Sequence, residues 1–203
     1  MSLTKHRNPI LGAGMIITAT FLFGLNGSTA KTIMQTGVTA EQITLFRSLS
    51  AALIAGLFMF ARNRESFAVA KSEWKWLAAL GFAGVGLMQW SYANAVANLP
   101  VGVALLIQYT AIILVPIAGL VLFRTRVSKR LWLGVVLVLS GLVVVSQIWQ
   151  SSLSAIGLVY GAVAAIATTI YYMIGEHVHK TRDAFSTLFY SMLFSALMWV
   201  GLS

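Results

Sequence analysis

Residues 43–60 read ITLFRSLSAALIAGLFMF, one apolar segment interrupted only by Arg47. A helix needs about 20 predominantly apolar residues to cross the hydrocarbon of a bilayer. With its flanks, 42–61, this stretch is long enough to span. It also has an echo. Residues 44–48 are TLFRS and residues 187–191 are TLFYS, with tyrosine in the place of the arginine.

The rest of the chain agrees on the solvent. Hydrophobic residues make up 59% of the 203 and charged residues 9%, and mean hydropathy is +0.85. Soluble domains carry about a quarter charged residues, so a chain this poor in charge cannot cover a water-facing surface. Cysteine is absent, which excludes disulfides, thiol catalysis and thiolate zinc sites.

Seven such runs are legible, at 10–33, 42–61, 76–97, 101–123, 131–149, 156–175 and 185–203. They are too long and too unalternating for a membrane barrel, even where strand formers cluster, as in LWLGVVLVLSGLVVV at 131–145. Asn8-Pro9 supplies a helix cap followed by a proline at the first helical position. The expected fold is therefore an all-α, polytopic membrane helical bundle.

Charge sets the expected orientation. With the N-terminus in the cytoplasm, Lys5 and Arg7 lie inside, as do Arg62, Arg64, Lys71 and Lys75 in the first inner loop. Arg124, Arg126, Lys129 and Arg130 follow in the second, and Lys180 and Arg182 in the third. Only Lys31 and Arg47 of the fourteen basic residues remain for the outer half, as the positive-inside rule asks. The net charge of +9 thus reads as a topology signal, with the bilayer as the partner of these loops and no nucleic acid.

The echo of TLFRS falls 143 residues later, which sets span seven over span two and span six over span one. Each repeat then holds five spans. An odd repeat places its second copy in the opposite membrane orientation, the inverted-repeat plan of secondary transporters. Residues 1–150 are the expected first repeat, and 151–203 the start of a second that stops two spans in. Seven transmembrane helices are present of an expected ten, and a doubled repeat would reach about 290 residues.

The stretch YANAVANLPVGVALLIQYTAIILVPIAGLVLFRTRVSKRLWLGVVLVLSGLVVV, residues 92–145, resembles spans three to five of the EamA-type drug/metabolite transporters. A short outer turn, Leu99-Pro100-Val101, is followed by Pro116 within span four, a basic inner turn from Arg124 to Arg130, and a Gly-rich fifth span ending in Ser140-Gly141. TLFRSLSAALIAGL at 44–57 is similar to the family's second span, with its arginine near the outer end. Thr125 stands where the family's inner turn often carries a glutamate, and QYTAI at 108–112 where relatives have EYTAP. The resemblance implies export of small metabolites such as amino acids across the plasma (inner) membrane, without a cofactor.

Candidate substrate-binding residues are the polar groups stranded in the spans. Asn26 lies in span one, Arg47 in span two, Trp90 and Asn94 in span three, Gln108 and Tyr109 in span four, and Tyr172 in span six. Each is costly against lipid and so turns into the bundle, either as a hydrogen-bonding contact between helices or as a cavity wall. Arg47 snorkels to the outer headgroups, or pairs with Glu41 or a neighbour's carbonyls, or offers a cation to an anionic or zwitterionic substrate group. Glycines in GFAGVG (81–86) let helices approach closely. The two histidines of HVH (177–179) are read as loop residues with no third metal ligand. Pro116 is expected to kink its helix.

These residues point away from an enzyme. No acid–base pair can be assembled, because the histidines sit at the tail and the loop and Glu41 is the only acid near a span. Small four-span multidrug exporters carry an acid in span one, where this chain has Asn26. A secondary transporter is the leading expectation, with a homodimer as its candidate assembly. The alternative is a non-catalytic membrane subunit or an inactive fragment of a transporter.

Overall fold

The computed structural model describes residues 9–62, 64–124 and 128–201. Lys5, Arg7, Asn8, Thr125 and Arg126, all used above, lie outside them. Regular structure among the described residues is entirely helical. It comprises α1 (Pro9–Met34), α2 (Ala40–Arg62), α3 (Trp74–Ala79), α4 (Leu87–Asn98), α5 (Val101–Tyr109), α6 (Ala111–Phe123), α7 (Lys129–Ser146), α8 (Ala155–His179) and α9 (Ala184–Val200).

Among the described residues, five stretches are long and apolar enough to cross a membrane: 12–34, 40–62, 101–122, 129–150 and 155–179. α9 is a shorter apolar helix. The expected third span is a continuous helical run assembled from three pieces. α3 passes into a π-helical turn, Leu80–Gly86, which passes into α4. That turn is the sequence LGFAGVG, and its glycines meet their neighbours' backbones. A methyl group at Gly81 would stand 2.8 Å from the Ser191 carbonyl of α9, and one at Gly84 would stand 3.3 Å from Tyr171 Cα of α8. Widened turns of this kind often occur at functional sites.

Span four is interrupted at Thr110, between α5 and α6, rather than at Pro116, which lies inside α6. Thr110 donates its hydroxyl to the Ile107 carbonyl at 2.6 Å, a local bond that competes with regular helix. His177 and His179 belong to the last turn of α8, not to a loop, and the His177 ring packs on Trp76 at 4.6 Å.

Two helix pairs form the centre. α2 and α9 run antiparallel along most of their length: Ser48 bonds Ser195 at 2.8 Å, and Phe58 stacks on Phe185 at 4.0 Å. These two helices carry TLFRS and TLFYS. α4 packs on α8 around a core of Tyr92, Ala95, Val96, Leu99, Val103, Ala104 and Ala164. Gly157 and Gly161 of α8 admit Leu99 and Ile107 so closely that a methyl group would stand 2.5 and 2.9 Å from them. By contrast α1, α6 and α7 leave long rows of apolar side chains outward, Val145 being 77% exposed.

The ends of the helices gather in two layers. Lys31 at the end of α1 donates to the Leu99 carbonyl at 2.8 Å, and Gly102 at the start of α5 lies against Ser146 at the end of α7. At the opposite end, Arg182 ties the α8–α9 connection to the segment after α2. It bonds the Ser66 carbonyl at 2.8 Å, the Ala68 carbonyl at 3.1 Å and the Glu73 carboxylate at 2.8 Å. Ser186 accepts from the same guanidinium and donates to Ser66 at 2.8 Å, while Tyr190 donates to the Phe67 carbonyl at 2.8 Å.

Candidate functional site

Gln108 sits one residue before the end of α5, with its side chain buried against α8. Its Nε2 donates to Thr168 Oγ1 at 3.2 Å, and Thr168 in turn donates to the Ala164 carbonyl one turn back at 2.7 Å. Gln108 Oε1 is buried and has no hydrogen-bond partner among the described residues. Beside it lies a cavity of about 280 Å³ walled by Met88, Gln108, Tyr109, Ala111, Ile112, Thr168, Tyr171 and Tyr172. α4, α5, α6 and α8 all contribute to this wall, which contains no charged side chain. Tyr172 is half exposed at its open side.

Three of the seven residues expected in a site, Gln108, Tyr109 and Tyr172, therefore meet at one cavity. The other four lie elsewhere. Trp90 donates its indole N–H to Glu41 of α2 at 2.7 Å, stacks on Trp199 at 5.5 Å and meets Tyr160 edge-on at 5.4 Å. Asn94 shares its helix face, but its amide donates to the Trp90 carbonyl at 3.0 Å, a bond within its own helix.

Arg47 is half buried and makes no hydrogen bond or ion pair among the described residues. Its candidate partner Glu41 is engaged by Trp90 instead. The group within electrostatic reach of Arg47 is the phenol of Tyr92, which is also in reach of Tyr109 at the cavity. The Tyr92 hydroxyl presses on Gly27, where a Cβ would stand 2.5 Å away, so Asn26 is carried beside this group. Tyr92 thus touches the neighbour of Asn26 in the chain and is within electrostatic reach of both Arg47 and Tyr109.

Thr168, Met88 and Arg182 carry no signal in the sequence that marks them as site or anchoring residues. Threonine hides well in a span because its hydroxyl can bond the carbonyl one turn back, as Thr168 does, and still accept a second bond. Arg182 reads in the sequence as a loop cation, yet its side chain is only 6% exposed. Around it, burial acts to raise the Glu73 carboxyl. Hydrogen bonds from Thr181, the Ala70 amide and Arg182, with the Arg182 charge, outweigh this and hold it below the ordinary carboxylate range. Burial likewise acts to raise Asp183. It is outweighed by the Ser186 amide, Ser66, the Phe185 amide and the Arg182 charge, so Asp183 also lies low. No group of three or more metal-ligating side chains occurs among the described residues.

The model of the EamA-like transporter family matches residues 10–147. No curated protein and no solved structure matches the chain.

Proposed function

The chain belongs to the EamA-like transporter family, and from that premise we propose that it carries small metabolites, amino acids or related compounds, outward across the plasma membrane. In this reading seven helical runs cross the bilayer with the N-terminus in the cytoplasm, and α8 and α9 begin a second, inverted repeat. The antiparallel packing of α2 on α9, which bear the two related pentapeptides, supports that arrangement.

One observation carries the substrate reading. The cavity at Gln108 lies where helices of the family-matched segment meet α8, which follows it in the chain. Transporters built from inverted repeats hold substrate at the repeat interface. Arg47 would supply the positive charge for a substrate carboxylate, with Tyr92 in electrostatic reach of both Arg47 and the cavity residue Tyr109. Trp90, Asn94 and Asn26 would complete the polar lining as the helices shift.

The test is efflux of preloaded amino acids from cells producing the chain, beside cells producing Gln108→Met at equal membrane level. Faster efflux of at least one amino acid, slowed toward background by the substitution, is the expected result. If no amino acid leaves faster than from control cells, the substrate class is wrong; if movement is inward only, the direction is wrong.

A further inference from the structure

Resting on that reading of the cavity, we propose that it recognises its ligand through a neutral hydrogen-bond donor, an N–H or O–H on a flat apolar body, received by Gln108 Oε1. The charged ends of a substrate lie outside it. Orientation of the Gln108 amide is the first step. The Thr168 hydroxyl has its hydrogen directed to the Ala164 carbonyl at 2.7 Å, so only its lone pairs face Gln108. Turning the amide over would set two acceptor oxygens against each other at 3.2 Å, so the NH2 group faces Thr168 and Oε1 faces away.

That oxygen is shut off from solvent and has no partner among the described residues. A buried acceptor left unmade is costly. In this proposal the amide or the adjacent Tyr109 ring rotates to bring the oxygen to a ligand in the cavity, and a donor there relieves the cost. The walls say what surrounds that donor. Met88, Ala111 and Ile112 are apolar, and Tyr109, Tyr171 and Tyr172 offer ring faces, with no side chain of either charge to balance an ion. The phenols of Tyr109, Tyr171 and Tyr172 make no hydrogen bond among the described residues, so they too are free to meet a polar edge.

Matched probes isolate the donor. Indole and benzofuran have one shape and differ in the N–H that the second lacks, and benzoate replaces the donor with a carboxylate. Equilibrium dialysis against the chain in lipid nanodiscs, with empty nanodiscs subtracted, should show indole bound about tenfold more tightly than benzofuran, the ratio for one buried hydrogen bond. Benzoate should bind more weakly than either. Gln108→Met, checked for helicity, should bring indole and benzofuran to the same affinity. Equal binding of the pair by the native chain, a preference that survives in Gln108→Met, or tighter binding of benzoate would each overturn the proposal. The native comparison stands even if the variant fails to fold. Donor preference in a chain that moves nothing across a vesicle would sink the transport reading alone, whereas transport without donor preference would sink this one alone.

Discussion

Trp90 on α4 donates its indole N–H to the carboxylate of Glu41, on the first turn of α2, at 2.7 Å. This joins a residue expected in the substrate site to the acid at the start of α2, and it takes that acid away from Arg47. A hydrogen bond to a charged group contributes about 1.5–3 kcal/mol. Trp90→Phe should therefore lower stability by about 1–3 kcal/mol, while Glu41→Gln, whose amide oxygen still accepts, should cost less than about 1 kcal/mol. Thermal unfolding in detergent checks both. Costs that simply add in the double variant would show that the two side chains are not coupled.

Transport is expected to survive Glu41→Gln at half the native rate or better. The glutamate serves here as an acceptor for Trp90, and its neutral amide keeps that role. Proton-driven movement abolished by this substitution alone would make Glu41 a coupling group instead.

Arg47 separates two roles by a conservative change. If it grips a carboxylate by its planar fork, Lys is a poor replacement and transport falls about tenfold or more in Arg47→Lys, with Arg47→Gln worse. A headgroup-seeking arginine tolerates Lys. Unchanged transport in both variants at matched expression would assign Arg47 to topology.

Glycine substitutions should divide by contact. Gly81→Ala forces a methyl group onto Phe194 and to 2.8 Å from the Ser191 carbonyl, and should cost about 1–3 kcal/mol. Gly134→Ala on α7 meets nothing within 4 Å and should be neutral or stabilising by up to about 1 kcal/mol. Equal melting temperatures for the two variants would mean that α9 does not press on the π-helical turn.

Acid should loosen the Arg182 end. The folded Glu73 carboxyl lies below its ordinary value of 4.5. Its contribution to stability is therefore complete above pH about 4.5 and fades as pH falls through the lower folded value. Melting temperature should drop more steeply on acidification in the native chain than in Glu73→Gln, which has no such proton to bind. Parallel curves would mean that the ion pair with Arg182 contributes nothing measurable.

How much of this was legible in the sequence depends on which force placed the residue. The helical runs follow from apolar length, because lipid leaves the backbone no alternative to internal hydrogen bonds. The observed α2 and α9 fall within two or three residues of their expected bounds for that reason. Contact-driven features were not legible. GFAGVG announces close approach, but not that the helix widens into a π turn there. Gln108 and Tyr109 are visible as polar residues in a span, whereas their partner Thr168 looks like ordinary helix filler. Trp90 and Asn94 do share a face, yet nothing local says that Glu41 and Trp199 will occupy it.

The Arg182 contacts also set an order of events during synthesis. The guanidinium lies 109 residues beyond Glu73 in the chain and 116 beyond Ser66. At about 5–20 residues per second, roughly 5–20 s pass between the appearance of the loop and of the residue that fixes it. Through that interval the Ser66 and Ala68 carbonyls lack the guanidinium that later joins them, and the Glu73 carboxylate has its local bond from the Ala70 amide but not its ion pair. During translation the segment between α2 and α3 is therefore a late-setting joint, and the arrival of the turn before α9 closes it.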